Sequence, residues 1–143
     1  MAVVIAVLVA GGSGLHKIPT ADRSVVVDGR AAISRVDTTN PAGAEEYEIS
    51  YLLLPARVES SVAVDSESSR LQAKGWRSPT PDSDGGVTLV SPSGDTLVYV
   101  VLAKEFSKNS SGDSTVALTL EKMGDDVRRN PNGLVVELQR VTH

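Results

Sequence analysis

The chain has 143 residues, 41% apolar and 22% charged, with a formal net charge of −4 and no cysteine. That length supports one domain around one core rather than two, and the apolar share excludes disorder throughout. The acidic balance, with fourteen scattered basic residues, argues against nucleic-acid binding, and the missing thiols remove disulfides, thiolate metal sites and thiol catalysis.

The first predicted element is the apolar run at the amino terminus. Ala2 to Leu15 carries no charge, and Val3, Val4, Ile5, Val7, Leu8 and Val9 crowd its first half. The run is shorter than the roughly 20 apolar residues that a membrane-spanning helix needs. Ala10-Gly11-Gly12 has the small-x-small pattern of a signal-peptide cleavage site, without a preceding basic region. Residues 1–15 are therefore read as a signal-like or anchor segment, through which membrane association is possible. The alternative is a β-branched strand buried in the core.

Residues 16–46 are turn-rich, with Pro19, Gly29, Asn40-Pro41 and Gly43, and read as a tether or irregular extension. Within it Val25-Val26-Val27 and Arg30 to Ile33 flank Asp28-Gly29, the residue pair that suits a type I′ turn, so a hairpin is expected there.

Residues 47–143 are expected to form the folded domain. Tyr47, Ile49, Tyr51 and Leu53 alternate as a strand that ends before Pro55. A helix is expected from Ser60 or Ser61 to about Lys74, where Gly75 in left-handed conformation would bring Trp76 against Leu71 in a Schellman ending. A loop from Pro79 to Gly86 follows. Val87 to Ser91 and Thr96 to Ala103 then bracket Pro92-Ser93-Gly94-Asp95 as a hairpin, its second strand apolar on both faces and so central. Val116, Leu118 and Leu120 alternate as a further strand. Gly124 to Gly133 reads as a turn region, and Leu134, Val136 and Leu138 as the last strand. The fold class expected is α+β, an antiparallel sheet of about five strands with one helix packed across a face.

No catalytic, cofactor-binding or metal-ligating residue is assigned. His16 and His143 are the only imidazoles, one beside the apolar run and one at the chain end. Gly12-Ser13-Gly14 lacks the second glycine of a nucleophile elbow, since Leu15 stands in its place. Asp82, Asp84 and Gly85-Gly86 make an incomplete calcium loop and read as a solvated acidic turn. Asp125-Asp126 with Arg128-Arg129 reads as a polar loop, and Asn109-Ser110-Ser111 matters as a glycosylation triplet only in a eukaryotic secretory setting. The dispersed glycines form no phosphate-binding loop.

The apolar start, the loose tether, Tyr47 to Leu54, Leu71-x-x-x-Gly75-Trp76 and the valine-rich hairpin together resemble small, uncharacterised, membrane-anchored or secreted bacterial proteins. The resemblance spans Tyr47 to Ala103 and implies an extracytoplasmic location, with no activity to transfer. The expected function is a non-enzymatic extracytoplasmic module that binds a protein or cell-envelope partner. The alternative is a soluble cytosolic or phage-derived assembly domain whose first run is a core strand.

Overall fold

The computed structural model describes residues 15–40, 45–108 and 114–142. The elements in chain order are β1 (Leu15–His16), α1 (Thr20–Val27), β2 (Ser34–Thr39), β3 (Glu46–Leu54), α2 (Ser60–Ala73), β4 (Arg77–Pro81), β5 (Val87–Val90), β6 (Thr96–Leu102), α3 (Ala103–Phe106), α4 (Ser114–Arg129) and β7 (Leu134–Arg140). The class is α+β, as expected. The sheet has seven strands among the described residues, running β3, β7, β6, β5, β4, with β1 and β2 both paired to β3. Every pairing is antiparallel except the short parallel match of β1 to the start of β3.

Helices cover both faces, which corrects the expectation of one helix on one face. Alternation along β3 explains why. Leu52 and Leu54 point to the side where Val26 of α1 and Leu71 of α2 pack, whereas Tyr51 and Leu53 point to the side closed by Phe106 of α3 and Met123 of α4. A strand buried on both faces reads as a continuous apolar run, as Tyr51 to Leu54 does.

Of residues 16–46, expected as a tether, the described ones, 16–40 and 45–46, belong to the fold. Ile18, Val26 and Val36 are all core residues. The expected hairpin at Val25 to Ile33 is instead the end of α1, a turn and the approach to β2. Asp28 and Gly29 do take positive φ, +51° and +74°, but they end a helix rather than join two strands. The helix holds against the β-preference of three valines because its last carbonyls are bonded from outside. Arg30 donates to Val27 O and Val26 O at 3.1 and 2.8 Å, and Arg70 of α2 donates to Val25 O and Val26 O at 2.8 and 3.0 Å. These cations also complement the negative end of the helix. Glu67 neutralises them, accepting from Arg30 at 2.6 Å and from Arg70 at 3.0 Å. At the rim, Asp28 is held below the usual carboxylate range, first by the hydrogen bond from Arg57.

The expected ending of α2 holds, whereas its N-cap is Glu59, with no side-chain capping bond, rather than Ser60 or Ser61. Trp76 N–H donates to Leu71 O and Gly75 N–H to Gln72 O, both at 3.0 Å, with Gly75 at φ +91°. Leu71 and Trp76 are both buried, which is the apolar contact of a Schellman ending.

The strand expected at Val116 to Leu120 and the turn region expected from Gly124 are corrected together, because both lie largely in α4. Val116, Leu120, Met123 and Val127 recur at helical spacing and pack on one cluster, while Leu118 is left 38% exposed. Strand alternation would have buried Leu118 with its neighbours. The expected loop from Pro79 begins within β4, an exposed edge strand with a register shift between Arg77 and Thr80. Its two prolines sit where an edge tolerates them.

Candidate functional site: a cleft at one end of the sheet

Leu54, the last residue of β3, is paired with Leu134, the first described partner in β7. The chain leaves β3 through Pro55 towards α2 and enters β7 from α4 through Asn130-Pro131-Asn132-Gly133. These two connections stand side by side and enclose a cleft of about 540 Å³. Ile33, Pro55, Val58 and Pro131 supply its apolar lining, with Arg129 and Asn130 among its polar groups.

The α4 side of the cleft is tied down by its own hydrogen bonds. Gly133 N–H donates to Asn130 O at 2.9 Å, Asn130 Nδ2 to Asp126 O at 2.8 Å, and Ala103 N–H of α3 to Gly133 O at 2.9 Å. Gly133 also lies so close to β3 that a Cβ there would stand 3.3 Å from Leu54 O and from a Leu53 methyl. On the α2 side, Glu59 occupies the N-cap with no side-chain capping bond. Val58 and Val62 flank that helix start and are 42% and 45% exposed, two of the three exposed large hydrophobic residues among those described.

A second, smaller concavity lies on the half of the sheet that α4 leaves open. Thr88, Leu97, Tyr99, Glu137 and Gln139 line about 220 Å³, and Asp82, Asp84 and Phe106 border an adjoining hollow of about 290 Å³. Tyr99 donates its hydroxyl to Asp84, which also accepts from Gly86 N–H at 2.9 Å. Burial first, and then this bond to a carboxylate, raise the Tyr99 pKa well above the usual phenol value.

The sign of the resulting pH dependence follows from the protons. An unfolded tyrosine loses its proton near pH 10, while folded Tyr99 keeps it, so this contribution is present below about pH 10 and lost as pH rises further. Above that point the wild type should lose at most about 1.4 kcal/mol of stability per pH unit through this group. Tyr99→Phe should show a shallower slope in urea titrations from about pH 9 to pH 11. Equal slopes in both proteins would contradict the coupling.

No protein family, curated protein or solved structure matches the chain.

The structure separates the residues singled out from sequence. His16 lies in β1 opposite Tyr47. Asp82 and Asp84 form the acidic turn, but Asp84 is engaged by Tyr99 rather than simply solvated. Asp125, Asp126, Arg128 and Arg129 sit in the last turns of α4, not in a loop, and Arg128 bonds Asp125. The cleavage-site pattern, Gly12-Ser13-Gly14, Asn109 to Ser111 and His143 lie outside the described residues, as does all of the apolar run except Leu15. Among the described residues no group of three or more His, Asp or Glu side chains could hold a metal ion, and no helix is long and apolar enough to cross a membrane.

None of the cleft residues was read as a site from sequence, Arg129 being noted only within a polar loop. Ile33, Val58 and Pro131 are brought together by the β2–β3 and β3–β7 pairings, and no local pattern encodes that meeting. One local signal existed, because Val58 and Val62 stand four apart across a helix start, on a face that buries neither.

Proposed function

We propose that the chain is a non-enzymatic, extracytoplasmic, envelope-associated module that binds a protein partner at the cleft between the β3–α2 and α4–β7 connections. The observation that carries this reading is a coincidence of position: a cleft of about 540 Å³ is lined by the exposed Val58, and a second exposed large hydrophobic residue, Val62, follows in the first turn of α2. Exposed apolar side chains interleaved with polar groups are compatible with a partner site. Ile33, Val58 and Pro131 suit an apolar side chain, while Ser60, Asn130 and Asn132 offer hydrogen bonds to the partner's backbone. The size of the cleft suits one short segment, hence a weak or transient complex with affinity on the order of micromolar. The location part of the proposal rests on the uncharged run from Ala2 to Leu15.

A photo-crosslinking residue placed at Val58, in protein made in its own cells, should give a discrete adduct with one protein, and Val62→Glu should abolish it. A probe at the exposed Glu121 of α4 is the control. Adducts no different from that control would overturn the site. Recovery of full-length protein in the cytosol without detergent would overturn the location.

One observation favours a second reading. Leu15, the last residue of the apolar run, is already paired in the sheet as part of β1, which suits a soluble assembly domain whose amino-terminal run is a strand.

A further inference from the structure

The two outer edges of the sheet are built differently. The β4 edge carries Pro79 and Pro81, a residue at positive φ (Ser78, +58°) and a register shift, all devices that discourage another strand from adding. The β2 edge, Ser-Arg-Val-Asp-Thr-Thr, has no proline or glycine and pairs with β3 over six residues without interruption.

Which β2 groups face outward follows from the ladder. Asn40 N–H donates to Tyr47 O, and hydrogen-bonded pairs alternate along an antiparallel ladder. Ser34, Val36 and Thr38 therefore turn their backbone groups towards β3. Arg35, Asp37 and Thr39 turn theirs away, and none of those N–H groups donates to a described residue.

We infer that β2 pairs antiparallel with β2 of a second copy of this chain about a two-fold axis through Val36. Only outward-facing residues can form hydrogen-bonded pairs across such an axis, which leaves three central registers. An axis at Arg35 sets arginine against arginine, and one at Asp37 sets aspartate against aspartate. The axis at Val36 sets Arg35 against the partner's Asp37 and Asp37 against the partner's Arg35. Opposite charges directly across a sheet stabilise and like charges destabilise, so the strand is self-complementary in one register alone. The groups already form an ion pair within the strand, Arg35 Nε to Asp37 Oδ2 at 2.8 Å, with Asp37 Oδ1 also accepting from Ser50 and 3.9 Å from Arg23, and the two-fold places the partner's Arg35 in reach of the same carboxylate. The contact is isologous, as a closed dimer requires. It is independent of what the cleft binds.

Sedimentation equilibrium of the full chain at about 100 μM, above the affinity expected for a small interface, should give the mass of a dimer. Arg35→Asp should weaken dimerisation by at least about tenfold, with an unchanged circular-dichroism spectrum showing that it folds. The register is read separately, because the chain has no cysteine. Arg35→Cys chains mixed with Asp37→Cys chains, which keep one Arg35–Asp37 pair across the axis, should oxidise to a covalent dimer, while either variant alone should not, its two copies lying beyond the roughly 7 Å between Cα atoms that a disulfide tolerates. A monomeric wild type would overturn the inference, including the case in which another segment occupies the edge. So would equal cross-linking of the mixture and of either cysteine variant alone.

Discussion

Glu67→Gln is expected to lower the unfolding free energy by about 3 kcal/mol, seen as an earlier urea midpoint with an unchanged slope. The side chains of Arg30 and Glu67 are only 5% and 7% exposed, and Arg70 joins the same carboxylate. Neutralising Glu67 leaves the Arg30 guanidinium, only 5% exposed, with no carboxylate in contact, and leaves Arg70 with Asp28 alone, at 3.7 Å. Neither can swing away without releasing the carbonyls of Val25, Val26 and Val27. The loss should therefore exceed that of an ordinary ion pair. Asp125→Ala is the comparison, since Asp125 and Arg128 are 75% and 66% exposed, and exposed pairs are worth about 0.5 kcal/mol. Hydrogen exchange should show α1 losing protection ahead of the sheet. A Glu67→Gln cost within about 1 kcal/mol would mean that the α1 end is held by the arginines without need of a counter-charge.

Trp76→Ala should cost about 3–5 kcal/mol and lower the thermal midpoint by about 10 °C or more. The indole is 3% exposed and belongs to the larger of the two core clusters, beside Leu71 and Leu89. Its position is set by the backbone turn at Gly75, whose chain reversal returns Trp76 N–H to Leu71 O. Truncation removes a large apolar surface and leaves a cavity under α2 that the sheet cannot collapse to fill. Trp76→Phe retains most of the volume and should lose roughly a third as much. Thermal melts followed by circular dichroism test this without depending on the chain's single tryptophan as a reporter. A loss for Trp76→Ala below about 1 kcal/mol would place the ring outside the energetic core.

The parts of the fold that were legible are those whose signals are local. The turn Pro92 to Asp95, the stop at Gly75-Trp76 and the alternation of β6 and β7 each lie within a few residues of the structure they specify. The α4 helix was misread because Val116, Leu118 and Leu120 satisfy a two-residue period over a short stretch. The residues that break the tie, Met123 and Val127, flank Gly124 in a segment that resembles a turn. The α1 helix was misread for a different reason. Its three valines favour a strand, and what overrides them is a pair of arginines, one on the following turn and one on α2. For the cleft, the residue types were visible and their proximity was not.

From the amino-acid order alone came one α+β domain with no thiol chemistry, a helix from Ser60 or Ser61 to about Lys74 stopped at Gly75, and a central two-sided strand, because propensity, turn geometry and side-chain period act between near neighbours. Tertiary structure decided that Ile18, Val26 and Val36 join the core, that both faces of the sheet are covered, and that Ile33, Val58 and Pro131 share one cleft. Those outcomes depend on burying apolar surface and pairing charges between segments far apart in the chain, and such interactions exist only once the strands have found their register.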